Sequence, residues 1–248
     1  MLSHTTWTRA VSSLAVVAAL IAAAPAYTSA QDILWEQAPT LNPAGGAINV
    51  VTPAGDPQET FSTALVNDLT FNTDVTVQEV TTYFSNVNVA TWSNGGTFNA
   101  VLNIFDADPL TDADDAFGGG DFGEALVQVT ALDPNNSGFA GVWSLTVSGL
   151  DIDLAAGDYF FGLTPEYASD AGQEFHVAAD GGILGQNTSF RNPDNGIGIG
   201  AGWQDIALLG QTDFDAAITV RGEEIIPEPT SAGLLALGLV GLVSRRRR

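Results

Sequence analysis

Residues 142–149 read Val-Trp-Ser-Leu-Thr-Val-Ser-Gly, and this stretch predicts the fold class. Apolar and small polar side chains alternate through it, with Trp143, Leu145 and Val147 on one face. A period of two is that of a β-strand, because successive side chains of a strand point to opposite faces of the sheet. We therefore expect a strand with one face in the core and the other in solvent.

The same alternation recurs on both sides of this strand. In 97–105, for example, Leu102 and Ile104 share an apolar face, opposite Val101 and Asn103. Strands are expected at 33–36, 69–71, 75–84, 97–105, 125–130, 142–149, 159–164, 175–178, 206–209 and 214–221. Turn-rich loops separate them, and the body shows no helical periodicity over ten or more residues. The pattern predicts an all-β fold, an antiparallel β-sandwich with jelly-roll-like connections.

The amino-terminal 30 residues have the three parts of an export signal. Arg9 is followed by an apolar run at 11–24 and by small residues that end at Ala30. A positive region, a short apolar region and a small-residue exit are typical of a signal peptide. An uncleaved anchor helix is disfavoured, because the run is short and Pro25 would break it. We expect a signal peptide over 1–30, cleaved after Ala30.

The charge of the chain is strongly asymmetric. Formal net charge is −22, and all 29 carboxylates lie between Asp32 and Glu228. Only Arg191 and Arg221 lie in that window, and two cations against 29 anions give it a charge of −27. Such a surface repels nucleic-acid phosphates and anionic lipid, so nucleic acid is excluded as a partner. The absence of cysteine excludes disulfides, thiol nucleophiles and thiolate metal sites.

The carboxyl-terminal tail has three parts in order. Pro227, Glu228 and Pro229 come first, an apolar stretch follows at 232–243, and a basic cluster ends the chain. The cluster consists of Arg245, Arg246, Arg247 and Arg248. Prolines on both sides of Glu228 prevent regular pairing there, so that segment stays extended. The 12-residue apolar stretch forms a helix of about 18 Å, shorter than a hydrocarbon core of ~30 Å. It suits a temporary stop in the inner membrane better than a permanent anchor.

This arrangement resembles the PEP-CTERM sorting signal of envelope-bearing bacteria. The resemblance covers residues 227–248, about a tenth of the chain, and it implies recognition by an exosortase, a membrane cysteine protease that processes the tail near the triplet. Proteins with this tail are linked to exopolysaccharide-producing, biofilm-forming lifestyles. We accordingly divide the chain into a signal peptide (1–30), a β-sandwich body (31–222), and a linker with the sorting tail (223–248).

One loop of the body is rich in carboxylates and is a candidate calcium site. Its candidate ligands are Asp106, Asp108, Asp112, Asp114 and Asp115, with Asp121 further along. Calcium prefers six to eight oxygen ligands, which such a loop could supply outside the cell. The spacing does not match an EF-hand, and a solvated acidic loop explains the same residues.

Trp92 and Trp203 lie beside glycine-rich loops and are candidate stacking residues for a glycan, with burial as the alternative.

His176 is the only histidine after signal cleavage, and its strand would place it in solvent on the face of Glu174. A Glu-x-His pair suits acid–base chemistry or a metal ligand, but with no nucleophile or second ligand cluster in the sequence, an ordinary surface histidine is the favoured interpretation.

No catalytic constellation stands out, so the sequence indicates a non-enzymatic protein without a cofactor. We expect an exported surface or extracellular-matrix protein whose partners are the secretion machinery and an exosortase. One alternative is an extracellular polysaccharide-binding module, with or without calcium. Another is a secreted hydrolase, although nothing in the sequence selects a carboxylate pair at the required separation.

Overall fold

The computed structural model describes the body of the chain. The described residues are 31–40, 46–48, 56, 59–85, 97–111, 124–131, 141–166, 175–180 and 184–225. All of them belong to one compact unit that begins at Gln31. The expected signal peptide at 1–30 and the sorting tail from residue 226 onward lie outside the described residues.

The described residues form twelve strands and two short 3₁₀ helices. The strands are β1 (Asp32–Gln37), β2 (Gly46–Ile48), β3 (Ala64–Phe71), β4 (Val75–Ser85), β5 (Thr97–Phe105), β6 (Glu124–Ala131), β7 (Trp143–Leu154), β8 (Gly157–Pro165), β9 (Phe175–Val177), β10 (Ser189–Arg191), β11 (Trp203–Asp205) and β12 (Ile218–Glu224). The 3₁₀ helices are Glu59–Phe61 and Ile206–Leu209. All pairings are antiparallel, in the order β1-β12-β4-β7-β6-β5-β8-β3-β10-β11, with β9 between β2 and β4.

The continuous sheet folds over one apolar core, which fits a sandwich. The core takes side chains from β4, β7 and β12 on one side and from β3, β5 and β8 on the other. Its largest fully buried members are Phe84, Phe161, Leu69, Leu102, Ile104, Leu145, Leu163 and Ile218. We refer to this set as the apolar core. The expected all-β, antiparallel architecture is confirmed, while jelly-roll connectivity stays a prediction.

Most of the strands expected from alternation are present. In β7, Leu145 and Val147 are buried and Ser148 is exposed, as the period of two predicts. Strand β3 is longer than expected, because residues 64–67 are buried on both faces and show no alternation. The three-residue strands β2, β10 and β11 were not expected, since so short a run carries no readable period.

The expectation of one solvent-facing side is wrong for β5. Ala100, Leu102 and Ile104 do face the apolar core, but Val101 and Asn103 on the opposite face are also buried. The neighbouring Phe105 on that face meets Trp203 of β11 edge to face, with ring centroids 5.6 Å apart. β5 and β11 are four strand intervals apart, or about 19 Å in a flat sheet, so the sheet curls inward on this side.

The strand expected at 206–209 is also wrong, because Ile206–Leu209 is a 3₁₀ helix. Asp205 caps its start by accepting a hydrogen bond from the Ala207 amide at 2.8 Å. Gly210 ends it in a left-handed conformation with φ of 78°, and its amide donates to the Ala207 carbonyl. The short apolar run gave a false strand signal, and the two flanking caps decide the local structure.

The first and last strands of the body lie side by side. Asp32 at the start of β1 pairs with Gly222 of β12, and Glu224 at the end of β12 pairs with Val75 of β4. The Ile225 amide donates to the Asp74 carbonyl at 2.8 Å, and the Ala156 amide donates to the Asp74 carboxylate at 2.9 Å. We call this end of the sandwich the exit end, because the described part of the chain ends there, at Ile225.

Across the described ranges, the structure contains no helix long and apolar enough to cross a bilayer.

Candidate functional site

A groove of about 410 Å³ opens where β3, β5 and β8 approach the exit end. Its wall carries four carboxylates, from Asp68, Asp106, Asp108 and Asp158, and we call it the acidic groove. β3 contributes Asp68, β8 contributes Asp158, and the turn after β5 contributes the other two. Phe160 forms part of the wall, but its side chain is only 7% exposed. The groove therefore presents charge and no open aromatic face at this position.

Asp68 is the carboxylate of the groove with the most perturbed environment. Burial raises its pKa above the usual range, and repulsion from Asp158 and Asp108 adds to that rise. Its Oδ2 accepts a hydrogen bond from the Gln186 amide at 3.2 Å, which partly opposes the shift. Its Oδ1 is buried and finds no hydrogen-bond partner in the described part of the chain. Asp68 is thus the groove residue best suited to hold a proton.

Residues 184–186 are held between two carboxylates from different elements. Asp68 accepts from the Gln186 amide, and Asp215 accepts from the Leu184 amide at 2.7 Å. Between them, Gly185 has φ of 102°, and a Cβ at this position would collide with the Asp68 carboxylate. Only glycine meets both conditions, so this residue allows the chain to pass closely over Asp68.

Behind the groove lies a set of buried, mutually hydrogen-bonded polar residues, which we call the polar core: Gln37, Asn67, Thr188 and Asp215. Asn67 donates to the Ala216 carbonyl and accepts from the Ala216 amide at 3.2 Å. Thr188 donates to Asn67 and accepts from the same amide at 3.0 Å. The Asn67 side chain thus completes the hydrogen bonding of the segment that leads into β12.

Asp215 is the charged member of the polar core and is only 2% exposed. Burial, with a contribution from the nearby Asp68 charge, raises its pKa to about 6. Hydrogen bonds from the Leu184 amide and from Gln37 Nε2, at 2.7 and 2.8 Å, stabilise the charged form but do not compensate for the burial. Asp215 therefore has a pKa of about 6, above the usual range of an aspartate.

The expectation that His176 is exposed is wrong. Its side chain is 2% exposed, it stacks on Phe84 with ring centroids 5.1 Å apart, and Nε2 lies 2.9 Å from the Ala217 carbonyl oxygen. β9 lies between β2 and β4, so both of its edges are covered. Burial lowers the pKa of His176 to about 4. The imidazole is neutral at physiological pH, and Glu174 lies outside the described residues.

The structure tests only part of the expected calcium loop. Asp106 is exposed and Asp108 is half-buried; both line the acidic groove, where Asp68 and Asp158 join them. Asp112, Asp114, Asp115 and Asp121 lie outside the described residues. In the described ranges, no three carboxylate or histidine side chains are grouped so that they could hold a metal ion. A cation in the groove would therefore need further oxygen ligands from water or from a bound molecule.

Trp203 is 6% exposed, with its ring against Phe105, so its position does not support the glycan-stacking hypothesis. A stacking platform requires an open ring face, which burial removes. Trp92 lies outside the described residues.

Sequence reasoning did not find Asp68, Asp158 or Asp215. Asp68 and Asp158 lie just outside the strands expected at 69–71 and 159–164, and only the strand pairing places them beside Asp106. Asp215 was assigned to the polar side of a strand. The one available signal is the isolated asparagine and aspartate at 67–68, inside an otherwise apolar run.

A search of the curated proteins found no match to the chain. A comparison with protein families found one match, to the PEP-CTERM protein-sorting motif, over residues 226–248. This agrees with the resemblance seen in the tail and begins one residue before Pro227. The motif implies export, processing by an exosortase, and sorting to the cell surface or a membrane-associated location. The carboxyl-terminal tail of this chain is a PEP-CTERM protein-sorting motif.

Proposed function

We propose that this protein is a non-enzymatic, exported component of the bacterial cell surface or extracellular matrix. Its jelly-roll-like sandwich body would be delivered by the signal peptide at 1–30, cleaved after Ala30, and by transient insertion of the apolar stretch at 232–243 into the inner membrane. The observation that carries the proposal is the PEP-CTERM motif at 226–248.

The charge of the body supports this proposal. Its carboxylates outnumber its arginines by 29 to two in the window from Asp32 to Glu228, so an isolated body is highly soluble and repels anionic membranes. Such a body has no intrinsic membrane affinity, and its location therefore depends on the tail. The secretion machinery and an exosortase are the partners that this arrangement requires.

Fractionation of cells carrying an epitope-tagged chain tests the proposal. The tag is inserted between the signal peptide and β1, so that it remains after the tail is removed. The full chain is expected at the cell surface or in the medium, with an apparent mass lower by the processed tail. Removal of 226–248 is expected to abolish both the sorting and the mass change.

Two matched variants separate the triplet from the basic cluster. Pro227→Ala combined with Pro229→Ala makes the triplet helix-compatible and should block processing while the chain still reaches the membrane. Lysine at all four positions of Arg245–Arg248 retains the charge and should preserve the membrane stop. If the full chain and the truncated chain have the same location and mass, the sorting function is wrong.

The acidic groove suggests a second candidate, calcium-assisted binding of an extracellular polysaccharide. Asp106 and Asp108, which the sequence nominated as calcium ligands, line it together with Asp68 and Asp158. A sugar with vicinal hydroxyls would supply the oxygen ligands that a calcium ion at this site still lacks.

Isothermal titration of the full protein with Ca²⁺, with and without an acidic polysaccharide, tests this second candidate. Binding heat is expected in wild type and should be lost in Asp106→Asn combined with Asp158→Asn. The matched control is Asp194→Asn combined with Asp213→Asn, which removes two exposed charges elsewhere. The absence of heat in wild type would dispose of calcium binding.

A further inference from the structure

The position of the exit end relative to the sorting motif suggests how the body meets its processing enzyme. β12 ends at Glu224, and the Ile225 amide is still hydrogen-bonded to Asp74 of the β3–β4 turn. Pro227 is only two residues further along. At no more than about 3.6 Å per residue, Pro227 lies within roughly 7 Å of a residue fixed to the sheet.

This spacing leaves little room for an enzyme. A small protein domain has a diameter of about 30 Å, several times the length of chain between Ile225 and Pro227. A protease that surrounds the triplet must therefore touch the folded exit end, unless the end of β12 first detaches. The apolar stretch begins at Ala232, seven residues after Ile225, so the exit end also stays within about 25 Å of the membrane.

The exit end is rich in exposed carboxylates. Its exposed carboxylates are Asp32, Asp74, Asp106, Asp151, Asp153, Asp158, Glu223 and Glu224. The nearest cationic side chain is that of Arg221, one residue pair further into the sheet, and its Nε lies 3.6 Å from Glu79 Oε1. Arg191, the other cation of the body, lies on β10, in register with the start of β3 at the opposite end. The exit end therefore has a large uncompensated negative charge.

At about 25 Å, roughly three Debye lengths at physiological salt, the charge of the exit end is largely screened from the membrane, so it acts on a partner that comes into contact with the exit end. A partner that approaches the triplet gains from the opposite charge, which accelerates association and orients the encounter. We propose that the exit end is a docking face for the processing enzyme and that the enzyme presents a cationic surface to it. This inference rests on the proposed sorting function and adds to it a second contact, outside the motif.

A charge-by-linker experiment on the full, tagged chain in its host tests the proposal. The exit-end variant combines Asp106→Asn, Asp151→Asn, Asp153→Asn and Glu224→Gln. Asparagine at 153 retains an oxygen acceptor for the Thr76 hydroxyl, which donates to Asp153 at 2.6 Å. The matched control removes four charges away from the exit end, by Glu166→Gln, Asp180→Asn, Asp194→Asn and Asp213→Asn. Each set is made with the native linker and with twelve Gly/Ser residues inserted after Ile225.

The rate of tail removal in a pulse–chase measurement is the readout. With the native linker, the exit-end variant is expected to be processed at least about threefold more slowly than wild type, and the control within about 1.5-fold of it. A twelve-residue flexible insert separates the body from the triplet by about 20 Å, so wild type and the exit-end variant that both carry this insert should be processed within about 1.5-fold of each other. Thermal melting of the purified variants checks that both sets fold equally.

The outcomes distinguish the two proposals. Normal processing of the exit-end variant, or a defect that persists with the long linker, overturns the docking face while the sorting function stands. Equal slowing of both charge sets also overturns it, since the effect would then follow from net charge alone. If wild type is not processed at all, the sorting function itself fails, and the docking face with it.

Discussion

The apolar core and the polar core are both excluded from water, but they are held together differently. In the apolar core, Phe161 packs edge to face on Phe71 and Tyr159, with ring centroids 6.1 and 6.5 Å away. Many such contacts each contribute part of the stability. In the polar core, Asn67 donates to the Ala216 carbonyl and accepts from the Ala216 amide, which it shares with Thr188. A core held by apolar packing, which is not directional, tolerates small changes at many positions. A core held by hydrogen bonds, which are directional, depends on single donor and acceptor atoms.

The largest effect is expected in the apolar core. Phe161→Ala removes a ring that is 1% exposed and leaves a cavity, so the free energy of unfolding should fall by about 3–5 kcal/mol. Urea denaturation measures the change. The matched control is Phe61→Ala, whose ring is 48% exposed and whose loss should change stability by less than about 0.5 kcal/mol. A similar loss in both variants would contradict the assignment of this core.

A somewhat smaller effect is expected in the polar core. Asn67→Ala leaves the buried Ala216 carbonyl without its donor, so the free energy of unfolding should fall by about 2–3 kcal/mol. The matched control is Asn103→Leu, since Asn103 is fully buried but its amide has no hydrogen-bond partner in the described part of the chain. That variant should be neutral or more stable, measured by the same urea denaturation. If it loses as much stability as Asn67→Ala, burial alone and not hydrogen bonding explains both.

The smallest effects are expected in the dependence of stability on pH. Asp215 has a raised pKa, so its contribution is present at low pH and is lost as pH rises from about 4 to about 6. His176 has a lowered pKa, so its contribution is present above pH 6.5 and is lost as pH falls towards 4. The contributions of Asp215 and His176 to the free energy of unfolding therefore change in opposite directions over nearly the same pH range. The free energy of unfolding of the wild type should change little across that range.

Asp215→Asn removes the contribution of Asp215 to the pH dependence of the free energy of unfolding. This variant should lose up to about 3 kcal/mol between pH 6.5 and 4, because the pH dependence from Asp215 no longer opposes that from His176. At pH 7.5 it should be about 1–2 kcal/mol more stable than wild type, since it no longer buries a charged carboxylate. Urea denaturation at four pH values from 4.5 to 7.5 measures both changes. A flat profile in the variant would show that His176 does not titrate as its burial requires.

The same contrast explains what the sequence could predict. Apolar alternation identified β5 and β7, because residues such as Leu102 and Leu145 need only an apolar environment, which a period of two reports. It could not identify the environment of Asp215 or His176, since a buried polar residue has the same letter as an exposed one. Their burial depends on β9 and on the segment before β12, which are far apart in the chain and meet only in the fold.

The functional residues likewise differ in how far the sequence could predict them. The sorting motif was readable because its parts are contiguous in the chain, and the family comparison confirms it at residues 226–248. The acidic groove was readable only in part: Asp106 and Asp108 were nominated from a local cluster, while Asp68 and Asp158 come from other strands. Charge density along the chain does not report which carboxylates face each other across a fold.

The pairing of β1 with β12 has a consequence for the timing of export. Among the described strands, β12 is the only partner of β1, and about 180 residues separate the two in the chain. A chain that crosses a membrane from its amino terminus exposes β1 first, and that strand waits unpaired until almost the whole body has emerged. Since β12 ends two residues before Ile226, where the sorting motif begins, the last strand and the motif emerge almost together if the chain is exported as proposed. On that proposal, the native fold is completed only as the apolar stretch reaches the membrane.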